Sequence, residues 1–114
     1  MKIKINDTWT LTHIRFIKIK SETATEKNVL SLSFHGSGHS SVVRTIPLAE
    51  QDLLLRIFDD ENLRLTRQHM REYTTLRKLG LARPRPDNEG RMLLTPAGKR
   101  VAIWVNANKI KLAG

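Results

Sequence analysis

The chain has 114 residues, of which 39% are hydrophobic and 27% are charged, and this composition is typical of a small globular protein. The absence of cysteine excludes disulfide bonds, thiol catalysis and cysteine-ligated zinc. No apolar run approaches the roughly 18 residues of a membrane-spanning helix, and the sequence shows no hydrophobic signal-peptide core. We therefore expect a cytoplasmic protein without a membrane partner.

The positive charge is concentrated in the C-terminal half. The chain carries 20 Lys and Arg against 11 Asp and Glu, a formal net charge of +9. Residues 1–63 contain eight basic and eight acidic residues, whereas residues 64–114 contain twelve basic and three acidic ones. This asymmetry predicts a polyanion partner for the C-terminal half, with nucleic acid as the first class to consider. A solvated basic face that keeps the protein soluble is the alternative.

The N-terminal residues alternate between polar and apolar side chains, which predicts β-strands. Lys2–Ile5 shows this period of two, and the alternation resumes at Trp9 after an Asn6-Asp7 turn. It continues to Phe16, after which Ile17 begins a shifted phase. One extra residue in a strand produces such a shift, so we expect a β-bulge or a strand break at Phe16-Ile17.

The segment that follows predicts further strands joined by hairpins. Residues 21–28 are polar and predict a loop. Residues 30–34 alternate cleanly and predict a half-buried strand, residues 35–41 are a glycine- and serine-rich turn, and residues 42–46 predict another short strand. We expect three or four antiparallel strands in the first 46 residues.

At Pro47 the apolar period becomes helical. Proline suits the first turn of a helix because its missing N–H costs nothing there. The first helix carries an apolar stripe of Leu53, Leu54, Ile57 and Phe58. A second helix is predicted over residues 66–79, with Thr66 as its N-cap and Gly80 as its C-cap. Its apolar side is expected to consist of Met70, Tyr73, Leu76 and Leu79.

The remaining residues predict a hairpin and a last helix. Residues 81–85 and 91–94 flank a turn over residues 86–90, which is typical of a β-hairpin. Thr95-Pro96 is an N-cap and first-turn pair that opens the last helix. The inner face of that helix is predicted to hold Val101, Trp104, Val105 and Asn108, with Ile103, Ala107 and Ile110 alongside.

Three groups of residues in this half carry a family resemblance. They are Leu76, Leu79, Gly80 and Leu81 at a helix end, Asp87, Gly90 and Arg91 at the hairpin tip, and Leu94, Thr95, Pro96 and Gly98 at the next helix start. Their order resembles the second half of a winged helix-turn-helix domain of the multiple-antibiotic-resistance-regulator type, over about residues 47–105. The resemblance implies a winged-helix fold and duplex DNA as the partner.

The spacing departs from that family at one place. Fewer residues lie between Phe58 and Leu79 than the family's short helix, turn and recognition helix occupy. The middle helix is either reduced to one turn over residues 62–65 or absent. The N-terminal β segment has no counterpart in the family.

The polar residues of this half predict a DNA-contacting face. One stripe of the second predicted helix contains Arg67, Arg71, Thr75 and Lys78. Arginine can donate two hydrogen bonds to guanine in the major groove, and glutamine can pair with adenine. Hairpin arginines can reach phosphates or a minor groove. The other predicted contacts are Gln68 on the helix, Arg83, Arg85 and Arg91 on the hairpin, and Lys99 and Arg100 in the last helix.

No group of residues indicates an enzyme or a metal site. His35-Gly36-Ser37-Gly38-His39 supplies two imidazoles where a metal needs three or four ligands, so a hairpin loop is the better interpretation. Gly36 and Gly38, followed by Ser40-Ser41, could hold a phosphate through backbone N–H groups, but the lysine of a P-loop is missing. We expect no catalytic residue, no metal and no cofactor.

Together these patterns predict an α+β protein with an N-terminal antiparallel β segment (1–46) and a winged-helix unit (47–114) in one compact domain. The favoured function is double-stranded DNA binding, as a small bacterial or phage-type transcriptional regulator. The alternative is a protein-interaction module whose β segment binds a partner. Trp104 is expected in the core, with homodimerisation through the last helix as the second interpretation.

Overall fold

A computed structural model describes residues 2–20, 26–38, 40–60, 63–64 and 66–113, with the side chains of 19–20, 26–28, 88–90 and 109–113 outside the description. In these residues the chain forms a four-stranded antiparallel sheet, a two-stranded sheet and three α-helices, which confirms the α+β class. No helix in the described part of the chain combines the length and the apolar character needed to cross a membrane.

The chain divides into two compact units, residues 1–51 and 52–114. The predicted boundary lies between residues 46 and 47. The observed boundary lies between Gln51 and Asp52, inside the first helix, α1 (Leu48–Asp59). Pro47 connects the preceding strand directly to this helix, and its carbonyl accepts a hydrogen bond from the Gln51 amide at 3.0 Å. The first turn of α1 therefore continues the strand without a linker.

The first unit is a meander of four strands. They are β1 (Ile3–Lys4), β2 (Trp9–Lys20), β3 (Glu26–Gly36) and β4 (Ser41–Ile46), hydrogen-bonded in the order β1-β2-β3-β4. The predicted alternation is confirmed in β3, where Leu30, Leu32 and Phe34 are buried. The same apolar side includes Leu11 and Ile14 of β2.

The β-bulge lies earlier in β2 than the sequence predicted. Leu11 pairs with Phe34 and His13 pairs with Ser33, so Thr12 is the extra residue. The Thr12 hydroxyl donates to the Ser33 carbonyl at 3.2 Å. Because of this bulge, two apolar residues three positions apart, Leu11 and Ile14, are both buried. The predicted bulge at Phe16-Ile17 is wrong, since the pairing there is regular.

The polar stretch that predicted a loop is partly a strand. β3 begins at Glu26, which pairs with Lys20, so the loop prediction is wrong for residues 26–28, while residues 21–25 lie outside the described residues. Hydrogen bonds between backbones need no apolar side chains. The pairing of β2 with β3 therefore includes residues of β3 that precede its alternating segment, which begins at Leu30.

The second unit is built from the rest of α1 and from five further elements. These are a 3₁₀ turn (Arg67–His69), α2 (Met70–Lys78), β5 (Ala82–Arg85), β6 (Asn88–Leu94) and α3 (Pro96–Ala113). Its buried apolar side chains include Leu54, Ile57, Leu76, Met92, Val101 and Val105. Trp104 and Asn108 are half-buried, and the Asn108 side-chain amide donates to the Trp104 carbonyl at 2.8 Å.

The segment between α1 and α2 contains no helix at its described positions before the 3₁₀ turn. Arg64 instead forms an isolated β-bridge with Arg91 of β6. Residues 62 and 65 lie outside the described residues, and Leu63 is not helical. A full helix in front of α2 is therefore not found at the described positions of this segment.

α2 ends in a Schellman motif around Gly80, the residue that was predicted to end this helix. Gly80 has φ 75°, in the left-handed region that favours glycine. The Leu81 amide donates to the Leu76 carbonyl at 2.9 Å, and the Gly80 amide donates to the Arg77 carbonyl at 3.0 Å. This motif ends the helix and directs the chain into β5.

The start of α3 is held against the end of α2 by hydrogen bonds from Thr95. Its hydroxyl donates to the Gly80 carbonyl at 2.6 Å and accepts from the Gly98 amide at 3.1 Å. Its own amide donates to the Leu81 carbonyl at 3.0 Å. Thr95 is thus the N-cap that the sequence predicted, and it also ties two helix ends together.

Candidate nucleic-acid interface

α2, the helix that the sequence predicted to contact DNA, is shorter than predicted. Residues 66–69 were expected to be its first turn, but Arg67–His69 is a 3₁₀ turn and α2 begins at Met70. Thr66 occupies the N-cap position of that turn, yet its side chain makes no bond to a backbone amide. Its hydroxyl lies 3.1 Å from Nδ1 of His69 instead, so the predicted side-chain cap is wrong.

A hydrogen-bonded chain connects α1 to the start of α2. Nη1 of Arg56 lies 3.2 Å from Nε2 of His69, whose Nδ1 contacts the Thr66 hydroxyl. A guanidinium only donates, so Nε2 of His69 accepts from Arg56. The His69 ring thus connects α1 to the 3₁₀ turn.

The solvent-exposed face of α2 is basic. Tyr73 and Leu76 are buried, and Arg71 and Lys78 are exposed on the opposite side of the helix. Thr75 is half-buried and its hydroxyl donates to the Arg71 carbonyl at 3.3 Å. Arg71 and Lys78 thus lie where the predicted stripe placed them, while the hydroxyl proton of Thr75 is used within the helix.

The predicted contacts at residues 67 and 68 do not belong to α2. Arg67 and Gln68 are exposed, but they lie in the 3₁₀ turn. A 3₁₀ turn has three residues per turn, so its side chains do not continue the spacing of an α-helix. The single stripe from Arg67 to Lys78 is therefore broken at Met70.

Three residues of the exposed face of α2 were missed. Met70 was expected on the apolar inner side, but it is 47% exposed, so that prediction is wrong. Thr74 and Arg77 are exposed as well. Thr74 and Arg77 could have been predicted from a helical wheel that starts at residue 70 and places Tyr73 and Leu76 on the buried side.

The only tyrosine of the sequence anchors this helix from its buried side. Burial raises the pKa of the Tyr73 phenol, and the positive charge of Arg77 partly opposes that rise. Burial of the phenol thus favours its protonated form in the folded protein.

The hairpin of β5 and β6 presents its arginines in different ways. Arg83 is exposed and pairs across the hairpin with Leu93. Arg85 forms a bidentate ion pair with Asp87, with Nε–Oδ1 at 3.0 Å and Nη2–Oδ2 at 3.1 Å. Arg91 is half-buried. Of the three predicted hairpin contacts, Arg83 therefore has the most accessible charge.

The hairpin turn is tighter than expected. Residues 86–90 were predicted as the turn, but the turn is Pro86-Asp87 and the backbone of residues 88–90 already belongs to β6. The register shifts between Pro84 and Arg85, where Arg85 pairs with Asn88. This register shift lets β5 and β6 connect through the short turn that contains Pro86.

Lys99 and Arg100 lie near the start of α3, as predicted, and both are exposed. The first turn of this helix contains no acidic residue. Positive side chains are electrostatically unfavourable near a helix N-terminus. Their position is therefore not explained by stabilisation of the helix.

Two backbone amides of the glycine- and histidine-containing loop are used in hydrogen bonds within the first unit. The Gly36 amide donates to the Ser40 carbonyl at 2.7 Å, and the Ser37 amide donates to the Thr8 carbonyl at 2.9 Å. A Cβ atom on Gly36 would lie 3.1 Å from Cζ3 of Trp9, so the glycine allows the indole to pack here. These two amides are therefore unavailable to a phosphate.

His35 is exposed, and His39 lies outside the described residues. Over the described positions, no three His, Cys, Asp or Glu side chains are grouped so that they could hold a metal ion.

No family model, curated protein or solved structure matches the chain.

Proposed function

We propose that the second unit is a winged-helix domain that binds double-stranded DNA, in the manner of a small transcriptional regulator. The observation that carries this proposal is the exposed basic face of α2, which is accompanied by a hairpin with an accessible arginine. Arg71, Lys78 and Arg83 make no ion pair within the described part of the chain. Their charges are therefore available to phosphates or to base edges.

The charge balance of the C-terminal half supports the same partner. Of its three acidic residues, Asp87 is paired with Arg85, and Glu72 is only partly exposed. The C-terminal half thus carries a large excess of positive charge, which favours association with a polyanion.

The order of elements also supports a winged-helix interpretation. α1 is followed by the Arg64–Arg91 β-bridge, by α2, by the β5-β6 hairpin and by α3. In a winged-helix domain the helix before the hairpin enters the major groove and the hairpin contacts the backbone. The short segment between α1 and α2 means that α2 would dock without a full preceding helix to cross the DNA backbone.

A salt titration of the full chain with short duplexes of random sequence tests the proposal. If five or six basic side chains meet phosphates, the slope of log K against log salt is about −5, at about 0.9 per phosphate. Fluorescence anisotropy between about 50 and 200 mM salt measures this slope. A slope near zero, or no binding at the lowest salt concentration, would refute duplex DNA binding.

A protein partner for the β segment is the second candidate function. In the described strands β1 covers β2 only at Thr10 and Leu11, so the edge of β2 from His13 onward has no strand beside it on that side. Such an edge can accept an extended segment of a partner. Absence of DNA binding in the titration would favour this candidate. A homodimer through α3, which light scattering would detect, is compatible with either function.

A further inference from the structure

The exposed face of α2 contains an apolar side chain where the helix begins. Met70 is the first residue of α2 and is 47% exposed. Its neighbours in the sequence and on the same face are Arg71 and Thr74, which are both exposed. Residues in the first turns of a recognition helix are those that contact base edges in the major groove. The position of Met70, rather than its exposure alone, therefore indicates a role in recognition.

The threonine one turn after Met70 adds to the apolar character of this position. The Thr74 hydroxyl donates to the Met70 carbonyl at 2.7 Å, so its proton is used inside the helix. Residues four apart lie next to each other on a helix surface. A partner at this position thus meets a thioether chain and a threonine methyl group, and no hydroxyl donor.

We propose that Met70, together with the Thr74 methyl group, contacts the 5-methyl group of thymine and makes the protein prefer thymine at that position. This inference rests on the proposed DNA-binding function. Thymine is the base that presents a methyl group in the major groove, and apolar side chains recognise it by contact. The flexible and polarisable methionine side chain adapts well to such a surface.

The neighbouring arginine extends the predicted preference. Arg71 can donate two hydrogen bonds to N7 and O6 of guanine. Because Met70 and Arg71 are adjacent at the helix start, the preferred site contains a guanine close to the thymine.

Replacing thymine with uracil tests the inference, because uracil lacks the methyl group and keeps the same base-pairing edge. Duplexes enriched by the full chain from a random-sequence pool are prepared with either thymine or uracil, and their Kd values are compared. Loss of one buried methyl contact weakens binding about four-fold. The wild-type chain is expected to show this loss at one or two positions.

Two variants and a control assign the effect to Met70. Met70→Gln keeps the length of the side chain and should lose most of the discrimination between thymine and uracil duplexes, because only the Thr74 methyl contact remains. Met70→Leu keeps an apolar side chain and should retain the discrimination. Ile103→Gln makes the same kind of change at a 55% exposed position of α3 and should discriminate as the wild type does.

The outcomes separate this inference from the function on which it rests. Equal affinity of the wild type for thymine and uracil duplexes, with sequence-selective binding intact, would overturn the methyl contact alone. Discrimination that persists undiminished in Met70→Gln would overturn the assignment to Met70. Failure to bind duplex DNA at low salt would overturn both proposals.

Discussion

Gly98→Ala is expected to destabilise the second unit strongly, although alanine is the better helix former. A Cβ atom at residue 98 would overlap the Leu81 carbonyl oxygen and would lie 2.9 Å from the carbonyl carbon. Both atoms belong to the backbone, so no side-chain rotation relieves the overlap. The first turn of α3 must move away from the end of α2.

The magnitude follows from what that movement disrupts. Overpacking costs about 1–3 kcal/mol, and each hydrogen bond of the Thr95 cluster contributes about 1 kcal/mol. The higher helix propensity of alanine offsets about 1 kcal/mol of this loss. If the movement breaks two of the three hydrogen bonds that join Thr95 with Gly80, Leu81 and Gly98, we expect the free energy of unfolding to fall by about 2–4 kcal/mol.

Urea denaturation followed by circular dichroism and tryptophan fluorescence measures this loss. Gly38→Ala is the matched control, because a Cβ atom there would have no neighbour within 4 Å, and its effect should stay within about 0.5 kcal/mol. A midpoint for Gly98→Ala equal to that of the wild type would show that α3 does not approach Leu81 this closely.

Two further predictions concern α2 and its contacts. Arg71→Ala should reduce affinity for an enriched duplex by about 1–3 kcal/mol and relax its selectivity, whereas Arg83→Ala should weaken all duplexes alike and reduce the salt slope by about one. Competition binding with enriched and random duplexes measures both, and unchanged selectivity in Arg71→Ala would contradict the groove assignment. Because burial raises the pKa of Tyr73, the folded state favours the protonated phenol. Its stabilising contribution is fully present below the unfolded pKa of about 10 and is lost as pH rises through the higher folded pKa. Urea midpoints should therefore fall less above pH 10 in Tyr73→Phe than in the wild type, and equal losses would argue against burial of the phenol.

The strand pattern was predictable where one face of the sheet is apolar. Leu30, Leu32 and Phe34 alternate without interruption, and all three are buried. The sequence did not predict the bulge at Thr12. Leu11 and Ile14 lie on the same apolar face only because Thr12 is an extra, unpaired residue between them. Alternation alone does not show which residue that is. A hydroxyl that bonds to the neighbouring strand, as Thr12 does, is a property of the tertiary structure.

Helix ends with a local chemical cause were predicted better than ends set by packing. Gly80 and Thr95 use their own backbone or side chain to end and begin helices, and both are found as predicted. The start of α2 has no such signal. His69 instead bonds to Arg56 of another helix, and the turn before Met70 is 3₁₀. Residue spacing indicates neither this contact nor the exposure of Met70.

The residues that carry the family resemblance and the residues that would contact DNA are different sets. Gly80, Thr95 and Gly98 are explained by backbone conformation, capping and close approach, and each would be needed whatever the domain binds. Arg71 and Arg83 take no part in the contacts between the end of α2 and the start of α3, and they form no ion pair among the described residues. The motif is therefore an argument about fold, and the case for DNA rests on exposed charge. For this reason the salt dependence and base selectivity of binding, rather than further sequence similarity, decide the function of this protein.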